Sequence, residues 1–288
     1  MIPLYGGLFL YINLILLTIF NKLLNINDLQ IFTFLDYQTF IFISLCFFIS
    51  LVDDKTNISP YKRFFLFSLI FSLNIFFDNS LHITNLQLMN LIINFNNSFI
   101  MFLFMIFCFL SLSNALNFFD GINLQLALYT IVVFMTLYFF GVLNILAVII
   151  IINLLFFIYY NYKSKIFLGD SGVILISYLM TIIFFKLHEQ NDLDVSLILI
   201  ILLVPGLDFI RVITSRILNK ANPFTGDSTH LHHLIKKRFS ILPTVFLIQL
   251  NIISPLIIFF YINNIYISLS LGIILYILLL NIPKFKKI

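Results

Sequence analysis

Charge is what this sequence has least of. Only 10% of its 288 residues are Asp, Glu, Lys or Arg, 61% are apolar, and the mean hydropathy is +1.10. Soluble globular domains carry about 25% charged and about 45–50% apolar residues, so a soluble domain is excluded. Cysteine is nearly missing too. Cys46 and Cys108 both lie inside apolar runs, which excludes a disulfide framework and a cysteine zinc site and reads as two buried thiols. Met1 to Gly7 contains no Lys or Arg, so the opening segment is not a cleavable signal peptide. Neither internal repeats nor low-complexity linkers occur, and residues 1–288 read as a single domain.

What is there is hydrocarbon in blocks. Apolar runs recur at 8–24, 37–52, 64–78, 98–115, 122–140, 142–160, 172–187, 195–210, 243–260 and 265–282. Their length suits membrane crossings, and the expected fold is an all-α, polytopic integral membrane bundle of about ten helices. Positive charge stays cytoplasmic, and with residue 1 inside, Lys55, Lys62, Arg63, Lys163, Lys165, Arg211, Arg216, Lys220, Lys236, Lys237, Arg238, Lys284, Lys286 and Lys287 all fall inside. Only Lys22 and Lys186 fall near the outer ends, so both termini are expected in the cytoplasm. The net charge of +4 then reports orientation and gives a nucleic-acid partner no support.

Six aspartates share that inner side: Asp53, Asp54, Asp120, Asp170, Asp208 and Asp227. A carboxylate next to hydrocarbon costs about 2.5–3.5 kcal/mol on insertion scales, so such a concentration suggests a site that uses them, most simply by binding a divalent cation and phosphate. A transporter would instead place its carboxylates near the midplane, within broken helices.

Asp53-Asp54 closes the second run in SLVDDKTNISPYKRF. Two carboxylates at a helix C-terminus face each other and the negative end of the dipole, unless Lys62 or Arg63 offsets them. A topology-setting polar loop is the plainer alternative. In NALNFFDGIN, Asn114, Asn117 and Asp120 supply amide and carboxylate oxygens on roughly one helix face before Gly121, although such residues also build ordinary turns. In IFLGDSG, Asp170 and Ser171 are good N-cap residues; alternatively Asp170 binds a metal that holds a nucleotide diphosphate, with Phe167 offering a face to a base. In NPFTGDSTHLHHLIKKRF, His230, His232 and His233 suit phosphate contact better than zinc, since i, i+4 pairing and Cys partners are missing. Lys236 to Arg238 read as a solvated or headgroup-facing stretch. Asp208, three residues before Arg211, reads either as an intrahelical ion pair or as part of the site.

In order, LVDDKTNIS…KR, NALNFFDGIN, FLGDSG, VPGLD and PF…D…HLHH resemble the polyprenyl-phosphate N-acetylhexosamine-1-phosphate transferases, glycosyltransferase family 4, over residues 3 to about 240. The His-x-His-His form is more similar to the branch that initiates O-antigen, enterobacterial common antigen and teichoic-acid linkage synthesis than to the muramyl-pentapeptide translocase. The resemblance implies a UDP-sugar donor, undecaprenyl phosphate as acceptor, UMP as leaving product, Mg²⁺ or Mn²⁺ as cofactor, and an active site on the cytoplasmic face of the bacterial inner membrane. A homodimer is allowed but not encoded. Residue by residue, it implies Asp170 and Asn117 as metal ligands, and Asp53, Asp54 and Arg63 on the lipid-phosphate side. It places Asp120 in the catalytic group and Asn114 among the substrate contacts. Phe167, Gly121 and Asn123 fall where uracil is held, and His230, His232 and His233 near the diphosphate. The family often reads DGxDGLA where this chain has DGINLQLA, so Asn123 stands for an acid and Leu124 for a glycine. Ser228 stands where a basic residue is common, and the span that the family carries before its Gly-Gly is missing ahead of Gly6-Gly7, so a catalytically inactive structural relative stays as an alternative expectation.

Overall fold

The computed structural model describes residues 4–24, 36–88, 91–141, 145–222 and 228–282. Pro3, Asp227 and the lysines at 284, 286 and 287 lie outside the described residues. The described chain is overwhelmingly helical. In order come α1 (Gly6–Leu24), α2 (Tyr37–Thr56), α3 (Pro60–Phe77), α4 (Ser98–Phe119), α5 (Gln125–Phe139), α6 (Ile145–Tyr162) and α7 (Gly169–Glu189). There follow α8 (Val195–Ile201), α9 (Leu203–Leu218), α10 (Leu231–Lys236), α11 (Ile241–Ile262) and α12 (Ile265–Asn281).

Each apolar run becomes a helix, but the run at 195–210 becomes two, α8 and α9, bent by 65°. Pro205, in the first turn of α9, has no N–H to give to the Ile201 carbonyl, so the ladder is interrupted there. Four helices, α4, α6, α7 and α11, are long and apolar enough to cross a membrane, or up to five with the bent pair, while shorter apolar helices lie at Gly6–Ile19, Gln125–Phe139 and Ile265–Asn281. By length and composition the described helices therefore fall short of ten full spans. The all-α expectation also misses a short antiparallel hairpin, β1 (Asn85–Leu88) with β2 (Leu91–Asn94), paired from Asn85 with Asn94 to Leu88 with Leu91. Its four-residue strands are too short to register as a pattern in sequence.

Local signals set the helix ends. The Asp36 carboxylate accepts from Thr39 N at 2.6 Å and starts α2; Asn57, in the left-handed region at φ 53°, ends it. Pro60 begins α3, where its missing N–H costs nothing. Asn97 caps α4 through Phe99 N at 2.9 Å. The centre of the bundle is α7, whose apolar stretch is wholly buried, with α1, α2 and α4 packed around it. Round its flank, α5 pairs with α6 and α11 with α12, and α9 lies along α4.

At the far end of α7, away from the aspartate-rich side, buried Lys186 pairs with Asp36 at 3.1 Å and Asp78 at 3.0 Å. Burial opposes ionisation of Asp78, but hydrogen bonds from Ser80 and the Lys186 charge outweigh it and hold the carboxyl below the usual range. Both carboxylates are helix caps, so one ammonium group ties the starts of α2 and of the 3-10 turn Asn79–Leu81 to the end of α7. Lys186→Met leaves Asp78 without its cation and is expected to cost about 3 kcal/mol, read as a clearly lower melting temperature in detergent. Adding Asp78→Asn should restore most of the loss; an unchanged melting temperature in the single variant would show that the pair carries no stability.

Candidate active site

The aspartate pair that looked unfavourable in sequence is resolved by a second helix. Asp54, at the negative end of α2, reaches the positive end of α7 and accepts from Asp170 N at 2.8 Å and Ser171 N at 3.3 Å. Two carboxylate oxygens thereby satisfy the first free N–H groups of a buried helix, and the two dipoles meet with opposite sign. The expected self-capping of α7 by Asp170 or Ser171 is therefore corrected. Leu168 occupies the N-cap position without a side-chain bond, and the cap comes from α2. Gly169 makes the approach feasible: its φ is +75°, and a Cβ there would stand 2.9 Å from Asp54 Oδ2. Burial pushes the Asp54 carboxyl upward against the lowering hydrogen bonds from Ser171 and Asp170.

Asp53 turns the other way. It accepts from Ile58 N at 2.5 Å and from Arg63 Nη1 at 2.9 Å. The same Nη1 reaches Asp170 Oδ2 at 2.6 Å, while Asn117 Nδ2 donates to Asp170 Oδ1 at 3.0 Å. Arg63 is thus the partner that the aspartate pair requires; Lys62 is exposed and makes no ion pair among the described residues.

Asp170 and Asn117 stand between two openings. One is a cleft of about 320 Å³ whose walls include Asn117, Asp120, Gly121, Asn123, Phe167 and Asp170. The other is a narrow groove of about 30 Å³, with Arg63, Asn114, Asn117 and Asp170 at its polar end and Phe64, Phe67, Leu110 and Ile174 along its apolar side. Burial, and the negative charge of Asp170 beside it, push the Asp120 carboxyl well above the ordinary range. Asn114 lies in the groove, with its Nδ2 bonded to Leu110 O of its own helix at 2.7 Å. Asp53 and Asp54 border neither opening; their oxygens are committed to Arg63 and to backbone.

Asn161 was not singled out from sequence. It accepts from Leu124 N at 2.7 Å and donates to Ile166 O at 2.9 Å, clamping the loop after Gly121 to the loop before Asp170. Its signal is an amide at the polar end of the long apolar run LAVIIIINLLFFIYYN. Leu124, where the resemblance expects glycine, sits in the left-handed region at φ 73°. That conformation is strained for a leucine and is held by the Asn161 bond and by packing against Ile122 and Val245. Asn123 Nδ2 is tied to Ser164 Oγ at 2.8 Å.

The histidines lie behind the cleft wall rather than in it. His232 is buried, packs its Nε2 directly against Gly121, and that nitrogen has no hydrogen-bond partner among the described residues. A side chain at 121 would collide with the ring, which is why glycine occupies that turn. His230 stacks parallel to His232 with centroids 5.7 Å apart, and its Nδ1 lies 3.0 Å from Asp208 Oδ2. His233 is half-buried, with its ring centroid 4.2 Å from that of His232.

Residues 37–188 match the profile of Glycosyl transferase family 4, and they contain every residue of both openings except Leu4. The chain belongs to glycosyl transferase family 4. A curated relative, the "Probable undecaprenyl-phosphate N-acetylglucosaminyl 1-phosphate transferase" of Bacillus subtilis (strain 168), is 35% identical over 91 residues. That match takes in 31% of this chain and spans a quarter, 25%, of the relative's length. The family match ends before Asp208 and the histidines, so their placement rests on the structure.

Among the described residues, no three His, Cys, Asp or Glu side chains converge as a metal cage. Two carboxylates, Asp120 and Asp170, and the Asn117 amide do border the cleft. Mg²⁺ is commonly held by one or two carboxylates completed by substrate phosphates, so this donor set fits a cation that arrives with a diphosphate. A cation there would also offset the Asp170 charge, which adds to burial in raising Asp120.

Burial, then the neighbouring His233, push His232 down to about 3, so the folded protein keeps that ring neutral. In the unfolded chain it titrates near its ordinary value of about 6.5, so between these values the unfolded state binds more protons. Its contribution to stability is intact above about pH 6.5 and is lost as pH falls toward 3, by at most about 1.4 kcal/mol per unit. Melting in detergent at about pH 8 and about pH 5 should show a larger acid loss for the unmodified protein than for His232→Gln. Equal losses would place the ring in a solvated environment.

Proposed function

We propose that this protein transfers a sugar 1-phosphate, most simply an N-acetylhexosamine 1-phosphate, from a UDP-sugar to undecaprenyl phosphate, releasing UMP and beginning a cell-surface polysaccharide. The observation that carries this reading is the pair of openings that meet at Asp170 and Asn117, one bordered also by Asp120, Asn123 and Asn161 and one lined along its side by hydrocarbon. A sugar nucleotide suits the first, with Phe167 and Asn123 toward the base and Asp120, Asn117 and Asp170 toward the diphosphate. A lipid phosphate suits the second, its chain leaving past Phe64, Phe67 and Leu110. Arg63 uses only Nη1 among the described residues, so Nε and Nη2 are available to that phosphate.

In the reaction, an oxygen of the lipid phosphate attacks the sugar-bearing phosphorus. The bond from that phosphorus to the bridging oxygen breaks, a new diphosphate bridge forms on the lipid, and UMP leaves with the bridging oxygen and its electron pair. Such transfers require positioning and charge neutralisation more than covalent help, which suits a site of fixed carboxylates, amides and one guanidinium. Mg²⁺ or Mn²⁺, held by Asp170, Asp120 and Asn117, would supply the neutralisation when bound. If ten crossings start from an inner residue 1, 14 of the 16 basic residues fall inside, and that bias favours a bacterial inner-membrane protein with the site and both termini cytoplasmic. A transporter would set its working carboxylate in the broken helix, yet Asp208 beside that break is tied up by four hydrogen-bond partners.

The test is UMP release from a panel of UDP-sugars by the purified protein with undecaprenyl phosphate and Mg²⁺. Asp170→Asn should reduce turnover about 10²-fold or more while the protein still inserts and melts cooperatively. Arg63→Gln should raise KM for the lipid more than for the sugar nucleotide. Near-normal turnover in Asp170→Asn would remove it from the site, and no UMP from any UDP-sugar would overturn the transferase reading.

A further inference from the structure

Asp208 lies outside the two openings, yet it is the most heavily bonded carboxylate near them. Its Oδ1 accepts from Arg211 Nη2 at 2.7 Å, Tyr276 OH at 3.0 Å and Leu231 N at 3.1 Å, while Oδ2 faces His230 Nδ1 at 3.0 Å. These partners come from α9 itself, from α12 and from the start of α10. Arg211 extends the clamp to Tyr276 OH at 2.9 Å and Thr229 O at 2.7 Å. An intrahelical ion pair would need only Arg211. Two of the remaining three, to His230 and Leu231, reach the histidine segment.

We propose that Asp208 is a positioning residue for the sugar-nucleotide cleft, acting through His230 and His232 on Gly121; this rests on the transferase reading above. The chain of contacts is continuous. With Nδ1 committed to Asp208, the His230 ring has one fixed orientation and one remaining nitrogen. Phe118 of α4 lies against that ring at 4.9 Å, and His232 stacks parallel on it, within 2°. His232 in turn abuts Gly121, part of the cleft wall. A ring without a strong bond of its own depends on its neighbours for placement, and His232 Nε2 is buried with no partner among the described residues. Asp208 therefore governs the shape of the nucleotide side. The groove between Arg63 and Phe67 shares none of these contacts.

The experiment measures initial rates of UMP release by the full chain in lipid, varying UDP-sugar and undecaprenyl phosphate separately, together with melting. Asp208→Asn cannot accept the Nδ1–H of His230 at its amide nitrogen, and is expected to raise KM for UDP-sugar about 10-fold, the weight of one charge-assisted hydrogen bond. KM for the lipid should stay within about twofold. Asp208→Asn with His230→Ala should be no worse than His230→Ala alone, because both break one linkage. Equal rises in both KM values, an unchanged KM for UDP-sugar, or additive losses in the double variant would overturn the proposal. If Asp208→Asn does not fold, His230→Asn decides. It keeps a donor toward Asp208 but removes the stacked ring, and an unchanged KM for UDP-sugar there would equally overturn the proposal. An unmodified protein that turns over while Asp208→Asn keeps its KM refutes this inference alone; one that releases no UMP refutes both.

Discussion

The contact between Asp54 and the amino end of α7 is the constraint on which the rest depends. A helix buried along its whole apolar length cannot leave its first N–H groups to water, and α7 has no side chain of its own to satisfy them. The carboxylate that does so sits at the wrong end of its own helix, where it would be repelled by the α2 dipole and by Asp53. Joined, the two unfavourable ends cancel. Because α1, α2 and α4 all pack on α7, fixing its start also fixes where those helices deliver Gly6, Asp53 and Asn117.

That junction leaves Asp170 one residue into the helix with its backbone bound and its carboxylate turned outward. Arg63 and Asn117 hold one oxygen each, which orients the group without removing it from the cleft. Arg63 Nη1 is shared between Asp53 and Asp170, so the guanidinium is held in the groove beside the aspartate that also borders the cleft. A phosphate approaching from the groove meets positive charge already in place, and one approaching from the cleft meets carboxylates that favour a cation. The two sides differ in electrostatic sign although they share a wall.

Much of the fold was legible in sequence because membrane helices announce themselves as apolar runs, and all ten runs became helix. The break between α8 and α9 was legible in principle from Pro205, but a run of apolar residues hides a missing N–H, since proline reads there as one more apolar residue. Asp53, Arg63, Asn117 and Asp170 could be gathered because their types are costly beside hydrocarbon. What could not be read was which atoms they spend on one another. Asp170 looked like its own cap, whereas the cap comes from a residue 116 positions earlier in the chain, and no local pattern encodes that pairing. Asn161 escaped notice because its work is done through two backbone groups, which have no sequence signature.

The abundance of aspartate on one side thus has two causes, which composition alone merges. Asp53, Asp54 and Asp208 are consumed in holding structure, their oxygens met by backbone N–H groups, arginines, a tyrosine and a histidine. Asp120 and Asp170 border the cleft, where burial, and then the charge of Asp170, raise the Asp120 carboxyl. The first group makes the second possible. The helices around the cleft are locked by carboxylates whose oxygens are already bonded elsewhere. On the transferase reading, side chains held in this way have completed their reorganisation during folding, before any diphosphate enters the cleft.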